Sequence, residues 1–248
     1  MRISISSGTL FTFPLQKAFQ MASEAGFDGV ELIINQDFQR VNSRKLLAEL
    51  AEITPILSIH APFMPLDGWG GPIDSLRRSV ELAAEAGIRL VNFHPPSWLG
   101  CELGFWRWLY RVHDFQKEVG NGTVLITLEN MPWTGRFKTN QYILSQTDKM
   151  IDFINDFYLF YGTGRIRNIH FSDYGHGREH LLPGHGILPL TRFLNHLRNT
   201  GYSETLTLEL SPHEFPRDER FIVDSLKEIL HYLRRETAGE GRGILEHI

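Results

Sequence analysis

Six acidic or imidazole side chains, Glu31, His60, His94, Glu129, His170 and Glu209, each sit in or just after a short apolar run. These are the groups that bind divalent cations and move protons. Taken singly, such a histidine has two readings, a metal ligand or a hydrogen-bonded structural residue. The set says more. Its successive spacings are 29, 34, 35, 41 and 39 residues, and one strand-helix unit takes about thirty to forty. Equivalent positions of successive units can fall on one ring. Carboxylates and imidazoles gathered in a partly dry pocket cost several kcal/mol unless their charge is neutralised, and a divalent metal neutralises it. Imidazole and carboxylate ligands suit Zn, Mn, Co or Fe better than Ca or Cu(I), so Mn or Zn is the expected cofactor. The single cysteine, Cys101, excludes an internal disulfide and any multi-thiolate site.

The elements that must position these residues alternate along the chain. Seven β-rich runs recur: "RISISS", "GVELII", "PILSIHAP", "LVNFHPP", "VLITLENMP", "IRNIHFSD" and "TLTLELSP". Between them lie helical patterns such as "LQKAFQMASEAG", "SLRRSVELAAEAG" and "RDERFIVDSLKEILHYLRR", with apolar residues three and four apart and glycine closing the first two. Near-continuously apolar strands joined by helices imply a parallel sheet covered on both faces, an α/β class. The first βα turn has no G-x-G-x-x-G, so a (β/α)8 TIM barrel fits better than a doubly wound sheet. In such a barrel the loops after the strands share the face that holds the active site. One domain is expected over 1–235, with 236–248 a tail. A sixth strand is missing near Asp156 and Phe157, because "TNQYILSQTDKMIDFINDF" reads as one helix. Three explanations stand: the protein lacks it, residues are omitted from the chain, or "QYILS" is an unrecognised strand. Omission is favoured, since a parallel barrel short of one strand exposes two unpaired edges.

Composition narrows the class. Apolar residues at 42% and charged residues at 22% are ordinary for a globular chain of 248 residues. The net charge of −4 gives no general attraction to phosphate backbones, so nucleic acid is not an expected partner. No apolar run approaches the roughly 20 residues that cross a bilayer, and "MRISISSGTLF" lacks the pattern of a secretion signal. A cytoplasmic protein without a membrane partner is expected. A homo-oligomer is compatible with the sequence.

The ordered set "GFDGVEL", "SIHAPF", "NFHPP", "LENMP", "NIHFSD", "HLLPGHG" and "LTLEL" resembles the xylose isomerase-like barrels, the family of sugar isomerases and epimerases together with endonuclease IV. The resemblance implies that Glu129, His170 and Glu209 are metal ligands of the ketose epimerase type. His60, His94 and His180 resemble the extra histidines of endonuclease IV. It also marks departures. The Asp-x-x-His pair of the sixth strand is absent, with "LSQTD" at best a degraded copy. Arg178 stands where the endonuclease pattern has an aspartate, and the loop "GEG" is Gly184, His185, Gly186.

Around this set, Asp173 can orient His170 or cap the following loop. Arg178 can meet a substrate phosphate or hydroxyl, or stay solvated. His176 and His185 can line the pocket or lie exposed. Trp69, Trp98 and Trp133 follow strands and can stack on a sugar ring or pack beneath loops. Glu31 can close the site or pair with a neighbouring cation. Expected substrate contacts are thus Trp133, Asp173, Arg178 and His185. The function implied is isomerisation or epimerisation of a sugar or sugar phosphate: with a metal polarising the carbonyl, one of Glu129 and Glu209 removes a proton and the other returns it through an enediolate. Two alternatives stand beside it, an endonuclease IV-like phosphodiesterase and a metal-free ligand-binding barrel.

Overall fold

The computed structural model describes residues 1–40, 42–94, 103–111, 115–120, 122–129, 166–216 and 218–238. In chain order its elements are β1 (Arg2–Ser6), α1 (Leu15–Ala25), β2 (Gly29–Ile33), α2 (Asp37–Arg40), α3 (Ser43–Ile53), β3 (Ile56–His60), α4 (Pro72–Glu85), β4 (Leu90–Phe93), α5 (Leu103–Arg111), α6 (Phe115–Glu118), β5 (Leu125–Leu128), β6 (Asn168–Phe171), β7 (Asp173–Gly175), β8 (Arg178–Leu181), α7 (Leu190–Asn199), β9 (Thr205–Leu208) and α8 (Glu219–Ala238). All seven apolar runs are strands. The expected sixth strand and the helix over "TNQYILSQTDKMIDFINDF" lie outside the described residues. The sequence does not show β7 and β8, an antiparallel pair inside what reads as a loop. Two compact units are present, Met1–Val30 with Ile151–Ile248, and Glu31–Met150.

In the first unit β9 pairs in parallel with both β1 and β6, and Leu206 stands in register with Ile3 and Ile169. Ile3, Leu206 and Leu208 are buried. The residues between them alternate to the other face, where Ser4 donates to Thr207 Oγ1 at 2.7 Å and Thr207 donates to Asn168 Oδ1 at 2.8 Å. Thr207 has one proton and spends it on Asn168, which makes Ser4 the donor of the first bond. Helix α1 buries Leu15, Ala18, Phe19 and Ala22, a stripe at spacings of three and four. It stops at Gly26, whose φ of 91° lets its N–H reach back to Ala22 O and Ser23 O. Helix α8 buries Ile222, Leu226, Ile229 and Leu233 by the same period and continues to Ala238. This is three residues past Arg235. Glu236 is buried, and its carbonyl accepts from Arg198 at 3.0 Å, which secures that last turn.

In the second unit the strands run in the order β2, β3, β4, β5. His60 pairs with Asn92, and Asn92 with Thr127, all in parallel. Asn42 caps α3 by accepting from Arg44 N and Lys45 N. Pro72 opens α4, where its missing N–H costs nothing. Phe105 of α5 lies 6.1 Å from Phe93, and Trp108 stacks on Phe105 at 5.8 Å. Trp108 therefore packs on Phe105 within α5.

Candidate functional site

Three expected site residues of the second unit leave adjacent strands at the same end. His60 ends β3, and His94 and Glu129 directly follow β4 and β5. Both His60 Nε2 and His94 Nε2 lie 3.1 Å from one oxygen, Glu129 Oε2, and the imidazole rings are 4.6 Å apart at 74°. His60 Nδ1 is 2.7 Å from Ala61 O, a carbonyl that can only accept. The ring therefore donates through Nδ1, and in its neutral form turns the Nε2 lone pair toward the carboxylate. Two acceptors then face each other at hydrogen-bond distance, an arrangement that needs a proton or a cation between them. His60 has 3% of its side chain exposed, so few water molecules share the work. The donor set and its mutual spacing, within 4.8 Å, fit a divalent ion. Phe63, 55% exposed, stacks on His94 at 5.6 Å.

Beneath these residues lies a second polar layer. Ser58, Asn92 and Thr127 each precede a site residue by two positions and so share its face of the strand. Glu31 is wholly buried, and its Oε2 accepts from Ser58 Oγ at 2.7 Å and from Asn92 Nδ2. Thr127 donates to Asn92 Oδ1. Among the described contacts, a hydroxyl and an amide hold Glu31 Oε2. Lying at the middle of β2 rather than at its end, Glu31 meets the lower layer.

In the first unit His170 Nδ1 is 2.8 Å from Glu209 Oε2, and His180 Nδ1 donates to Glu209 O at 3.3 Å. His180 arrives on the hairpin of β7 and β8, whose two-residue turn, His176 and Gly177, has φ values of 53° and 74°. Both are left-handed, as a type I′ turn requires. His176 is exposed there. His180 itself has φ 56° where the hairpin register shifts, a strained backbone at a candidate site residue. Its neighbour Glu179 has a buried Oε1 without a hydrogen-bond partner among the described residues. Burial pushes the Glu179 carboxyl above its ordinary value; His180 pulls it down and the Glu209 charge adds to the rise.

Asp173, Arg178 and His185, expected against substrate, have other partners. Asp173 is 2% exposed and takes four backbone N–H groups, from Tyr174 and Leu188 on Oδ1 and from Gly184 and Gly186 on Oδ2. It caps the loop, and all its described bonds serve that end. Arg178 pairs with Glu214, which also lies 3.4 Å from His185 Nδ1. Glu214 has a 6% exposed side chain and is the anion that organises both, and no motif announces it. Trp69 is 3% exposed with the Arg78 guanidinium 4.6 Å over its ring, so it packs under the loop rather than walling a pocket. Trp133 and Trp98 lie outside the described residues.

A family model described as "Xylose isomerase-like TIM barrel" matches residues 19–235. The chain belongs to that family. The xylose isomerase-like likeness extends to solved structures. A D-tagatose 3-epimerase-like protein superposes with a TM-score of 0.64 at 20% identity, covering 95% of this chain and 99% of that one. An L-ribulose 3-epimerase gives 0.61 at 17% identity over 96% and 95%. These establish the α/β TIM-barrel fold. Among sequence relatives, uncharacterized proteins of Mycobacterium leprae (strain TN) and Mycobacterium tuberculosis (strain ATCC 25618 / H37Rv) are 30% and 32% identical over 52% of this chain. Each match covers 46% of the relative's length, so the chain spans about half of those proteins. Among the described residues no helix is long and apolar enough to cross a membrane.

Proposed function

We propose that this xylose isomerase-like chain is an isomerase or epimerase of a sugar or sugar phosphate that works with a bound divalent metal, Mn or Zn by the chemistry of its donors. The carrying observation is the meeting of His60 Nε2, His94 Nε2 and Glu129 Oε2, with His60 turned by Ala61 O so that its Nε2 faces the carboxylate. The names of the two epimerase structures that share the fold point to the same class of substrate. Residues His60, His94 and Glu129 would hold an ion, and His170, Glu209 and His180 are the further candidate ligands. When bound, the metal supplies positive charge that stabilises a developing oxyanion on the sugar. Glu129 and Glu209 are the acid-base pair: one takes the proton from the carbon beside the carbonyl and the other returns it. The reading requires both carboxylates to face one substrate.

Incubation with candidate ketoses and their phosphates in deuterated water, with Mn or Zn added, tests this directly. Solvent label at one sugar carbon is the expected result, and Glu129→Gln or Glu209→Gln should reduce it by about 10² to 10⁴-fold. If both variants exchange label like the wild type, the two-glutamate reading is wrong. The histidines at 60, 94 and 180 also suit metal-assisted phosphodiester cleavage. Nicking of an abasic duplex, with no label exchange in any sugar, would favour that reading instead. Freshly purified protein free of transition metal would argue for a metal-free ligand-binding barrel.

A further inference from the structure

We infer that Glu31 is a positioning residue for the group His60, His94 and Glu129, acting through the side-chain layer beneath them. The inference rests on the metal-site reading above. One carboxylate oxygen, Glu31 Oε2, is the shared acceptor for Ser58 of β3 and Asn92 of β4, and Asn92 passes the link to β5 by accepting from Thr127. Asn92 has its amide fixed by these two bonds, nitrogen toward the carboxylate and oxygen toward the hydroxyl. Each of the three linked residues stands two positions before a site residue, about 7 Å along its strand. The backbone repeats the tie one step higher. Ala61 N donates to Asn92 O at 2.8 Å and Glu129 N donates to Phe93 O at 2.9 Å.

The consequence is mechanical. Ser58 and Asn92 are 0% and 4% exposed, so water does not replace a missing acceptor easily. Without the Glu31 oxygen, two buried donors must turn to find partners. The strands that carry His60 and His94 then move relative to one another, and Glu129 follows through Thr127. An outer layer of this kind around a metal site commonly controls affinity by about 10 to 100-fold.

Two substitutions separate the parts played by the oxygen. Glu31→Gln keeps one oxygen that can accept from both Ser58 and Asn92, whereas Glu31→Leu removes the acceptor. Cobalt(II) is the probe, because its visible absorption bands report ligand geometry as well as binding. With folding checked by circular dichroism, Glu31→Leu should bind Co(II) about 10 to 100-fold more weakly with altered bands, and Glu31→Gln should restore both. A folded Glu31→Leu protein with wild-type affinity and bands overturns the inference. If that variant fails to fold, Thr127→Val, which cuts only the last link, decides: weaker binding supports the inference and unchanged binding overturns it. If the wild type itself binds no Co(II), the metal-site reading fails separately. The NMR signals of the His60 and His94 rings then decide, since they should shift in Glu31→Leu and return in Glu31→Gln, and unshifted signals overturn the positioning role.

Discussion

The two units carry their candidate site residues on the same two-layer plan but support them differently. In the second unit Ser58, Asn92 and Thr127 lie under His60, His94 and Glu129, and a buried carboxylate, Glu31, gathers them. In the first unit Asn168 lies under His170 and Thr207 under Glu209, and the layer is neutral, with Ser4 at its end. There a further tie lies outside these strands, in the loop that Asp173 closes by accepting from Gly184 N and Gly186 N. Strand-borne support keeps three side chains in fixed mutual register. Loop-borne support instead allows a residue such as His180, held at φ 56°, to be delivered from a separate hairpin.

If the loop is the support of the first unit, Asp173→Ala should have the largest effect. Four backbone N–H groups lose their acceptor, at about 1–3 kcal/mol for each that stays dry, so a total near 3–5 kcal/mol is expected after water recovers part. Urea unfolding measures it, and amide exchange at Gly184, Gly186 and Leu188 should speed up most. Unchanged exchange at those amides would remove the contrast between the units. Gly186→Ala comes next. A Cβ there would stand 2.3 Å from Asp173 Oδ1 and 2.4 Å from Tyr174 O, and relief of such a clash costs about 1–3 kcal/mol. Thr207→Val, which removes the bonds from Ser4 and to Asn168, should cost about 1–2 kcal/mol by the same urea measurement.

Tyr232→Phe is the smallest. Tyr232 bonds to Thr191 at 2.9 Å, worth about 1 kcal/mol. Burial pushes its hydroxyl above the ordinary 10.0, with the Thr191 bond pulling back. The folded protein thus keeps this proton to higher pH than the unfolded chain does. Its contribution is complete below pH 10 and is lost as pH rises past 10 toward the raised value. Alkaline unfolding should accordingly be less steep in Tyr232→Phe.

Much of this arrangement was legible in the residues. "LSIH", "VNFH" and "LITLE" mark His60, His94 and Glu129 as equivalent strand-end residues, whereas Ser58, Asn92 and Thr127 pass unmarked inside runs that read as near-continuously apolar. What the string of letters does not carry is stagger. Glu31 reads as one more strand-end carboxylate, but it lies at the middle of β2, and its Oε2 accepts from Ser58 and Asn92, each two positions before a histidine. The hairpin of β7 and β8 escapes for another reason. Its strands are three and four residues long, and its turn is His-Gly instead of the usual Asn-Gly. Glu214 escapes because its partners, Arg178 and His185, are distant in sequence.

The tripeptide Gly184, His185, Gly186 shows what such a loop asks of its genes. Gly184 needs φ 92°, and Gly186 has no room for a side chain against Asp173. The histidine between them is 40% exposed. Mutational drift should therefore leave 184 and 186 untouched, while codon 185 is held only by what its imidazole does, including its approach to Glu214 at 3.4 Å. Saturation libraries scored for folding should accept only glycine at 184 and 186 and a wider set at 185.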